Sequence, residues 1–214
     1  MRTLEQMDFG GLQIAFDDRV LRPRPWTAAQ ARWAAELLRA APPGDVLELC
    51  AGAGQLGLLA VADNDRRLVA VDLNPVAVDF TRTNAEAAGL LDRVQVRQGP
   101  LDEVLGPDEQ FAVVIADPPW VCRRDVGRYP QDPVLAIDGG DDGLAVAWRC
   151  LDVIDRHLAD GGSAVLQLGT PEQVARVRAS LNSAGPLRVV ASRRHADRGV
   201  LVRIDRGRVS RSPG

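Results

Sequence analysis

Val113-Val114-Ile115-Ala116 is an unbroken apolar run that stops at Asp117-Pro118-Pro119-Trp120. A strand with one wet face alternates apolar and polar residues. A run with no polar member must be buried on both faces, which calls for a largely parallel sheet covered by helices on each side. Proline offers no N–H to a ladder, so the strand ends before Pro118. The two prolines stiffen the backbone where Asp117 leaves the sheet edge, and an aromatic ring follows at once. Ligands of parallel sheets bind at the carboxyl ends of strands. Asp117 and the Pro118 carbonyl can accept the two hydrogens of a planar NH2 group while Trp120 stacks on its face. The plainer alternative is a strand, a proline turn and a surface tryptophan.

The same strand-to-turn logic recurs upstream. Residues 45–49 form a buried strand, and Cys50-Ala51-Gly52-Ala53-Gly54-Gln55 turns into a helix over 56–62. Gly52 and Gly54 allow close backbone approach, and the helix N-terminus behind them is partly positive. The spacing is not Gly-x-Gly-x-x-Gly, which argues against a dinucleotide. Residues 67–72 are the next strand. Asp72 at its carboxyl end suits the two hydroxyls of a ribose. Asp72 equally suits an N-cap for the helix over 76–88, which Asn74-Pro75 opens and Gly89 closes.

The remaining segments follow the same reading. Residues 12–16 and 20–21 form a hairpin around Asp17-Asp18, and Thr27 caps a helix striped by Ala31, Ala34, Ala35, Leu38 and Ala41. Residues 93–97 form a strand and 101–105 a helical turn. A polar loop over 123–133 makes a rim above the site. Asp138-Gly139-Gly140-Asp141-Asp142-Gly143 leads into a helix over 144–158. That acidic turn lacks the distal glutamate of a calcium loop, so no metal is expected. A strand over 163–168, a helix over 171–184 and a hairpin of 187–192 with 200–204 complete the pattern.

The 214 residues carry no repeat and no linker, which predicts one domain. Residues 1–44 form a hairpin and helix packed on a core of 45–205, and 206–214 a disordered basic tail. No apolar run reaches membrane-spanning length and no signal peptide is visible, so no membrane partner is expected. Three cysteines without metal spacing predict a reducing compartment, the cytoplasm. A net charge of -3 gives no global field for nucleic acid. Every basic residue is arginine, which excludes Schiff-base lysine and Walker-lysine chemistry from this chain. His157 and His195 have no partners at catalytic or metal spacing. The arginines from Arg193 to Arg211 either touch RNA phosphates or are simply solvated.

Together the glycine turn, the acid after the second core strand and Asp-Pro-Pro-Trp after the fourth resemble a class I S-adenosylmethionine-dependent methyltransferase. Within that superfamily the chain most resembles the HemK-like glutamine N5-methyltransferases, which modify the Gly-Gly-Gln motif of peptide chain release factors. Residues 20–27 are similar to the family's Pro-Arg-Pro-Glu-Thr segment, and 46–54 to its first motif. Residues 117–120 stand where the family has Asn-Pro-Pro-Tyr, and 139–144 match its Gly-Gly-x-Asp-Gly-Leu. The match runs from about Phe9 to Gln173, so the family's N-terminal helical domain is not expected here.

The resemblance implies a Rossmann-like α/β fold, a seven-stranded, mostly parallel sheet with helices on both faces and a C-terminal β-hairpin. It implies S-adenosyl-L-methionine as cofactor, held by Glu48, Cys50, Ala51, Gly52, Ala53, Gly54, Asp72, Leu73, Asn74, Leu101 and Asp117. Asp117, Pro118, Pro119 and Trp120 become the catalytic group. The departures are Trp26 for glutamate, Cys50 for the turn's first glycine, Pro100 for an aspartate near the adenine, Asp117 for asparagine and Trp120 for tyrosine. The acceptor stays open among a protein glutamine (possibly on a release factor), a nucleobase of ribosomal or other RNA, and a small molecule. A protein that binds the cofactor without catalysis and a nicotinamide oxidoreductase are the rivals. Oligomeric state is not encoded in any of these motifs.

Overall fold

A computed structural model describes residues 3–183, 185–196 and 198–207. Nine strands and six α-helices occur among them: β1 (Glu5–Phe9), β2 (Leu12–Phe16), α1 (Ala28–Leu38), β3 (Asp45–Leu49), α2 (Gln55–Val61), β4 (Leu68–Asp72), α3 (Pro75–Ala87), β5 (Val94–Gln98), β6 (Phe111–Ala116), α4 (Val134–Ile137), α5 (Ala145–His157), β7 (Leu158–Leu168), α6 (Pro171–Ser183), β8 (Leu187–Arg194) and β9 (Val200–Arg206). The main sheet has seven strands in the order β5-β4-β3-β6-β7-β9-β8. β5, β4, β3, β6 and β7 run parallel, and the β8–β9 hairpin closes the edge antiparallel. The strand order reverses between β3 and β6, so a crevice opens at their carboxyl ends.

The apolar run dictates this layering. All six residues of β6 are buried. Val113 and Ile115 pack with the hairpin, α1, α2 and α3 on one face, while Val114 and Ala116 pack with α5 and α6 on the other. Each face of the central strand therefore feeds its own core, as a two-sided sheet requires.

Four expectations need correction. The N-terminal hairpin joins β2 to β1, not to residues 20–21. Gly10 and Gly11 both take positive φ, 67° and 104°, the geometry a two-residue hairpin turn favours. The pairing strand was hidden because Glu5–Phe9 is largely exposed and reads as polar. Thr27 precedes α1, but its side chain makes no cap; it donates to the Arg24 carbonyl at 2.8 Å, because a 3-10 turn over Pro25–Thr27 supplies the helix start. The rim over 123–133 is not one loop, since a 3-10 helix covers Arg123–Arg128 and α4 begins at Val134. The strand β9 continues through Arg206, and of the expected tail residues 208–214 lie outside the described residues. No described helix is long and apolar enough to cross a membrane.

Candidate active site

Two cavities lie side by side at the carboxyl ends of β3, β4, β6 and β7. The smaller, about 220 Å³, is lined by Cys50, Gly52, Asp72, Leu73, Asn74, Gly99, Pro100 and Leu101 among others. The larger, about 760 Å³, is lined by Arg24, Trp26, Pro118, Trp120, Tyr129, Asp132, Gln167 and Arg198 among others. Asp117, Pro119, Gln55, Leu21 and Ala136 line both. Asp117 thus stands at the junction.

The smaller cavity is shaped in part by backbone turns. At Gly52 a Cβ would point into open space, so a side chain there would occupy the cavity. Asp72 accepts from the Gly52 N–H on one oxygen and from the Asn74 N–H on the other, each at 2.8 Å. The cap of α3 is Asn74, whose side chain accepts from the Val76 N–H at 3.0 Å, and Asp72 ties the glycine turn to that helix while lining the cavity. Burial pushes the Asp72 carboxyl up, and those N–H groups pull it part-way back. From α3, Thr81 donates to the Gly52 carbonyl at 3.0 Å and Asn84 donates to the Ala53 carbonyl at 2.9 Å. Asn84 also exchanges two hydrogen bonds with the Ala15 backbone, fastening the N-terminal hairpin behind the turn.

Cys50 holds φ 60°, a left-handed geometry that costs a non-glycine residue about 1 kcal/mol or more. Its sulfur turns away from the turn and meets Cys150 of α5, a contact that together with burial pushes the Cys50 thiol well up. Cys50 also lines the smaller cavity.

Not every residue implied by the resemblance reaches a cavity. Glu48, Ala51, Ala53 and Gly54 sit behind the wall. Gly54 is needed because a Cβ would come 2.8 Å from the Thr81 methyl. Glu48 is fully covered, and neither oxygen makes a well-formed hydrogen bond among the described residues. Burial pushes its carboxyl up to about 8, with the N–H groups of Gly57 and Leu56 pulling down and the charges of Asp72 and Asp117 adding upward. Gly57 makes room for it, since a Cβ there would stand 2.4 Å from a Glu48 oxygen.

The larger cavity is built from side chains. Asp117 sits at the end of β6; its N–H reaches the Leu49 carbonyl at 3.4 Å, but no described residue hydrogen-bonds to its carboxyl. It is partly open to the cleft yet deep in the protein, and burial pushes its carboxyl up to about 7. Trp120 lines the cavity with its ring seated on Gly169, where a Cβ would come 2.2 Å from Cε3. The tryptophan is therefore wedged against β7's exit as well as facing the cleft.

Gly139–Leu144 is a brace for this motif. Gly139 donates to the Val121 carbonyl at 2.9 Å, and Arg123 donates to the Gly140 carbonyl at 2.8 Å. Asp142 accepts from the Leu144 N–H at 2.9 Å, at the start of α5. Among the described residues no group of three or more His, Cys, Asp or Glu side chains is placed to hold a metal ion.

Three glutamines were not legible as site residues. Gln30 is wholly buried, and its NH2 donates to the Ala116 and Val165 carbonyls at 2.9 and 3.0 Å, stapling the ends of β6 and β7. Gln173 donates to the carbonyls of Trp120, Asp142 and Gly143 and accepts from Gly169 and Thr170. Gln167 lies on the floor of the larger cavity. The only available sign was a lone polar residue inside an apolar stripe, for Gln30 and Gln167. His157 is structural, with Nδ1 at 2.8 Å from the Glu109 carbonyl. His195 packs on Trp26 with ring centroids 5.3 Å apart.

The family described as "Methyltransferase domain" matches residues 46–126, which carry the glycine turn, Asp72 and Asp117–Trp120. A release factor glutamine methyltransferase of Deinococcus radiodurans is 32% identical over 185 residues, 84% of this chain and 65% of that protein. A second, from Clostridium acetobutylicum, is 27% identical over 175 residues, 78% of this chain and 61% of that protein. A ribosomal protein uL3 glutamine methyltransferase of Bordetella pertussis is 32% identical over 169 residues, 74% of this chain and 55% of that protein. The chain carries a class I methyltransferase domain similar to those of the HemK-like glutamine methyltransferases.

The chain spans 55% to 65% of the length of those three relatives. Among solved structures, the hMettl16 catalytic domain in complex with MAT2A 3'UTR hairpin 6 superposes with a TM-score of 0.74 at 14% identity, covering 95% of this chain and 78% of that one. A ribosomal protein L11 methylase from Lactobacillus delbrueckii gives 0.63 at 16% identity, covering 88% and 82%. At such identities these two likenesses speak for the fold, a Rossmann-like methyltransferase sheet.

Proposed function

We propose that the chain is an S-adenosylmethionine-dependent N-methyltransferase whose acceptor is a planar nitrogen, the side-chain amide of a protein glutamine. The observation that carries this is Asp117: a deep carboxyl without a hydrogen-bond partner among the described residues, at the junction of two cavities.

The smaller cavity fits the cofactor on its own features. Gly52 leaves its wall open, Asp72 is held by both oxygens with lone pairs to spare for a ribose diol, and Leu73 and Leu101 offer apolar sides to a base. Glu48, Asp72 and Asp117 place acidic groups within electrostatic reach of one another, a setting that favours a bound cation. When bound, the cofactor supplies a methyl group on a sulfonium, and its S–C bond breaks with the electron pair left on sulfur. The chain's contribution is alignment and exclusion of water. Asp117 and the Pro118 carbonyl hold the two hydrogens of the acceptor NH2, which frees its lone pair for the new N–C bond. One N–H proton must leave, and a carboxyl poised near 7 can take it.

A nucleobase is the second reading, favoured by the likeness of fold to a domain seen with an RNA hairpin. Charge at the rim argues against it. Arg123 pairs with Asp138 and Asp141, while Arg124 and Arg128 pair with Asp125. Arg193, Arg203 and Arg206 of the C-terminal hairpin pair with Glu36, Asp205 and Asp155. Among the described residues these six arginines are offset by acids beside them, which weakens the field available to phosphates.

The test is to incubate the chain and methyl-labelled cofactor with whole-cell extract, then to digest protein and RNA separately. Label on glutamine side-chain nitrogen supports the proposal; label confined to nucleosides or small molecules refutes it.

A further inference from the structure

Gln167 is 4% exposed, yet its side chain makes no hydrogen bond to any described residue, and Oε1 is wholly covered. Because Oε1 is covered, the NH2, which has no partner among the described residues either, is the end of the amide left to face the cavity. Its place is set by the sheet. Ala116 and Leu166 are register partners on β6 and β7, so Asp117 and Gln167 are the next residues along adjacent parallel strands. Such strands lie about 4.8 Å apart. Gln30 staples the two strand ends beneath them, which holds that spacing. Both side chains line the larger cavity.

A carboxylate acceptor and an amide, one strand apart, match a planar group with NH2 at one end and C=O at the other. Asp117 has nothing to donate when ionised, whereas Gln167 has two N–H donors. We infer that Gln167 reads the carbonyl oxygen of a carboxamide acceptor by donating from its NH2, while Asp117 takes the acceptor's own NH2. This rests on the reading of the acceptor as a glutamine side chain, and assigns the residue that tells a carboxamide from an alkyl amine, which lacks the oxygen. The amide is a specificity determinant, because a site built to hydrogen-bond one group rejects analogues lacking it.

The experiment uses the full chain, a glutamine-containing peptide, and two variants, Gln167→Leu and the near-isosteric Gln167→Glu. Steady-state rates, cofactor affinity by calorimetry and thermal unfolding are measured for each. Both variants are expected to lose about tenfold or more in kcat/KM, carried mostly by KM because the bond exists before transfer. Cofactor affinity should stay within about twofold. If Gln167→Leu fails to fold, the glutamate variant carries the test alone. Wild-type rates in Gln167→Glu would mean the residue does not donate to the acceptor and would overturn the inference, as would wild-type rates in a folded Gln167→Leu. In both cases the wild-type chain still methylates glutamine and the proposed function stands. A wild-type chain that leaves the peptide unmethylated and labels nucleosides instead would remove the carboxamide reading itself.

Discussion

The two cavities share a wall but are built differently. The smaller draws on the backbone turns after β3, β4 and β5, the first two of which lead into helices, and glycines and Asp72 shape part of its wall. The larger collects side chains from residues 21–27, 117–137, 167 and 198, far apart in sequence. Backbone-built sites tolerate changes of side chain and bind a constant ligand. Side-chain-built sites can be re-specified by single substitutions. The departures from family pattern fall on both sides: Cys50 and Pro100 line the smaller cavity, Trp26 and Trp120 the larger, and Asp117 both.

The largest effect that separates the two should come from Asp117→Ala. Methyl transfer in single-turnover experiments is expected to fall by about a hundredfold or more, since positioning and proton acceptance are lost together. Asp117→Asn should keep much of the activity on an amide acceptor: it holds the nitrogen through a neutral oxygen, and the strongly acidic N-methylated amide cation can give its proton to water instead. Equal losses in both would show that the charge is required and would point to an amine substrate. Next in size is Asp72→Ala, which should weaken cofactor binding by about 1.5–3 kcal/mol in calorimetry, the scale of lost charge-assisted hydrogen bonds.

Acid–base linkage gives a third handle. Burial raises the Asp117 carboxyl from its ordinary 3.8 to about 7. The folded state then binds a proton that the unfolded state has released, so this group lowers stability as pH rises from about 4 through 7. Asp117→Asn should therefore stabilise the free protein at pH 8 by about 1–2 kcal/mol, water in the cleft reducing the full linkage value, and the gain should vanish near pH 4. Denaturant unfolding at the two pH values measures it. A gain independent of pH would mean that packing, not ionisation, is responsible.

Gly169→Ala should act on the larger cavity alone. The new methyl would displace the Trp120 ring, slowing turnover about tenfold while leaving cofactor affinity unchanged. Smallest of all should be Cys50→Gly. Relief of the left-handed strain offsets loss of the Cys150 contact, so unfolding free energy should change by less than about 1 kcal/mol.

Much of the scaffold was legible because its signals are local. The β6 run, the glycine turn and Asn74-Pro75 each declare their structure within a few residues, and the boundaries of α2, α3, α5 and α6 followed within a residue or two, whereas α1 stops at Leu38 short of Ala41 and α4 was not foreseen. What escaped was long-range. The partner of β2 is a polar-looking strand whose pairing depends on a Gly-Gly turn. Gln30, Gln173 and Asn84 act on backbone atoms 30 to 135 residues away, and a glutamine or asparagine gives no hint of which carbonyl it will meet. Asp72 and Asp117 were recognised as acidic residues at strand ends. That Glu48 lies behind the cavity, with Gly57 cut away to admit it, depends on packing that no spacing rule conveys.

The division of labour between the cavities is tested most directly by crossing two variants with two ligands. Asp72→Ala and Asp117→Ala are each titrated calorimetrically with the cofactor, and then with a glutamine peptide in the presence of saturating demethylated cofactor. The account predicts a crossed pattern: Asp72→Ala loses cofactor affinity and keeps the peptide site, while Asp117→Ala loses the peptide and loses less cofactor affinity than Asp72→Ala. If both variants lose the cofactor equally, or if the peptide binds Asp117→Ala as tightly as wild type, the two cavities do not divide donor from acceptor.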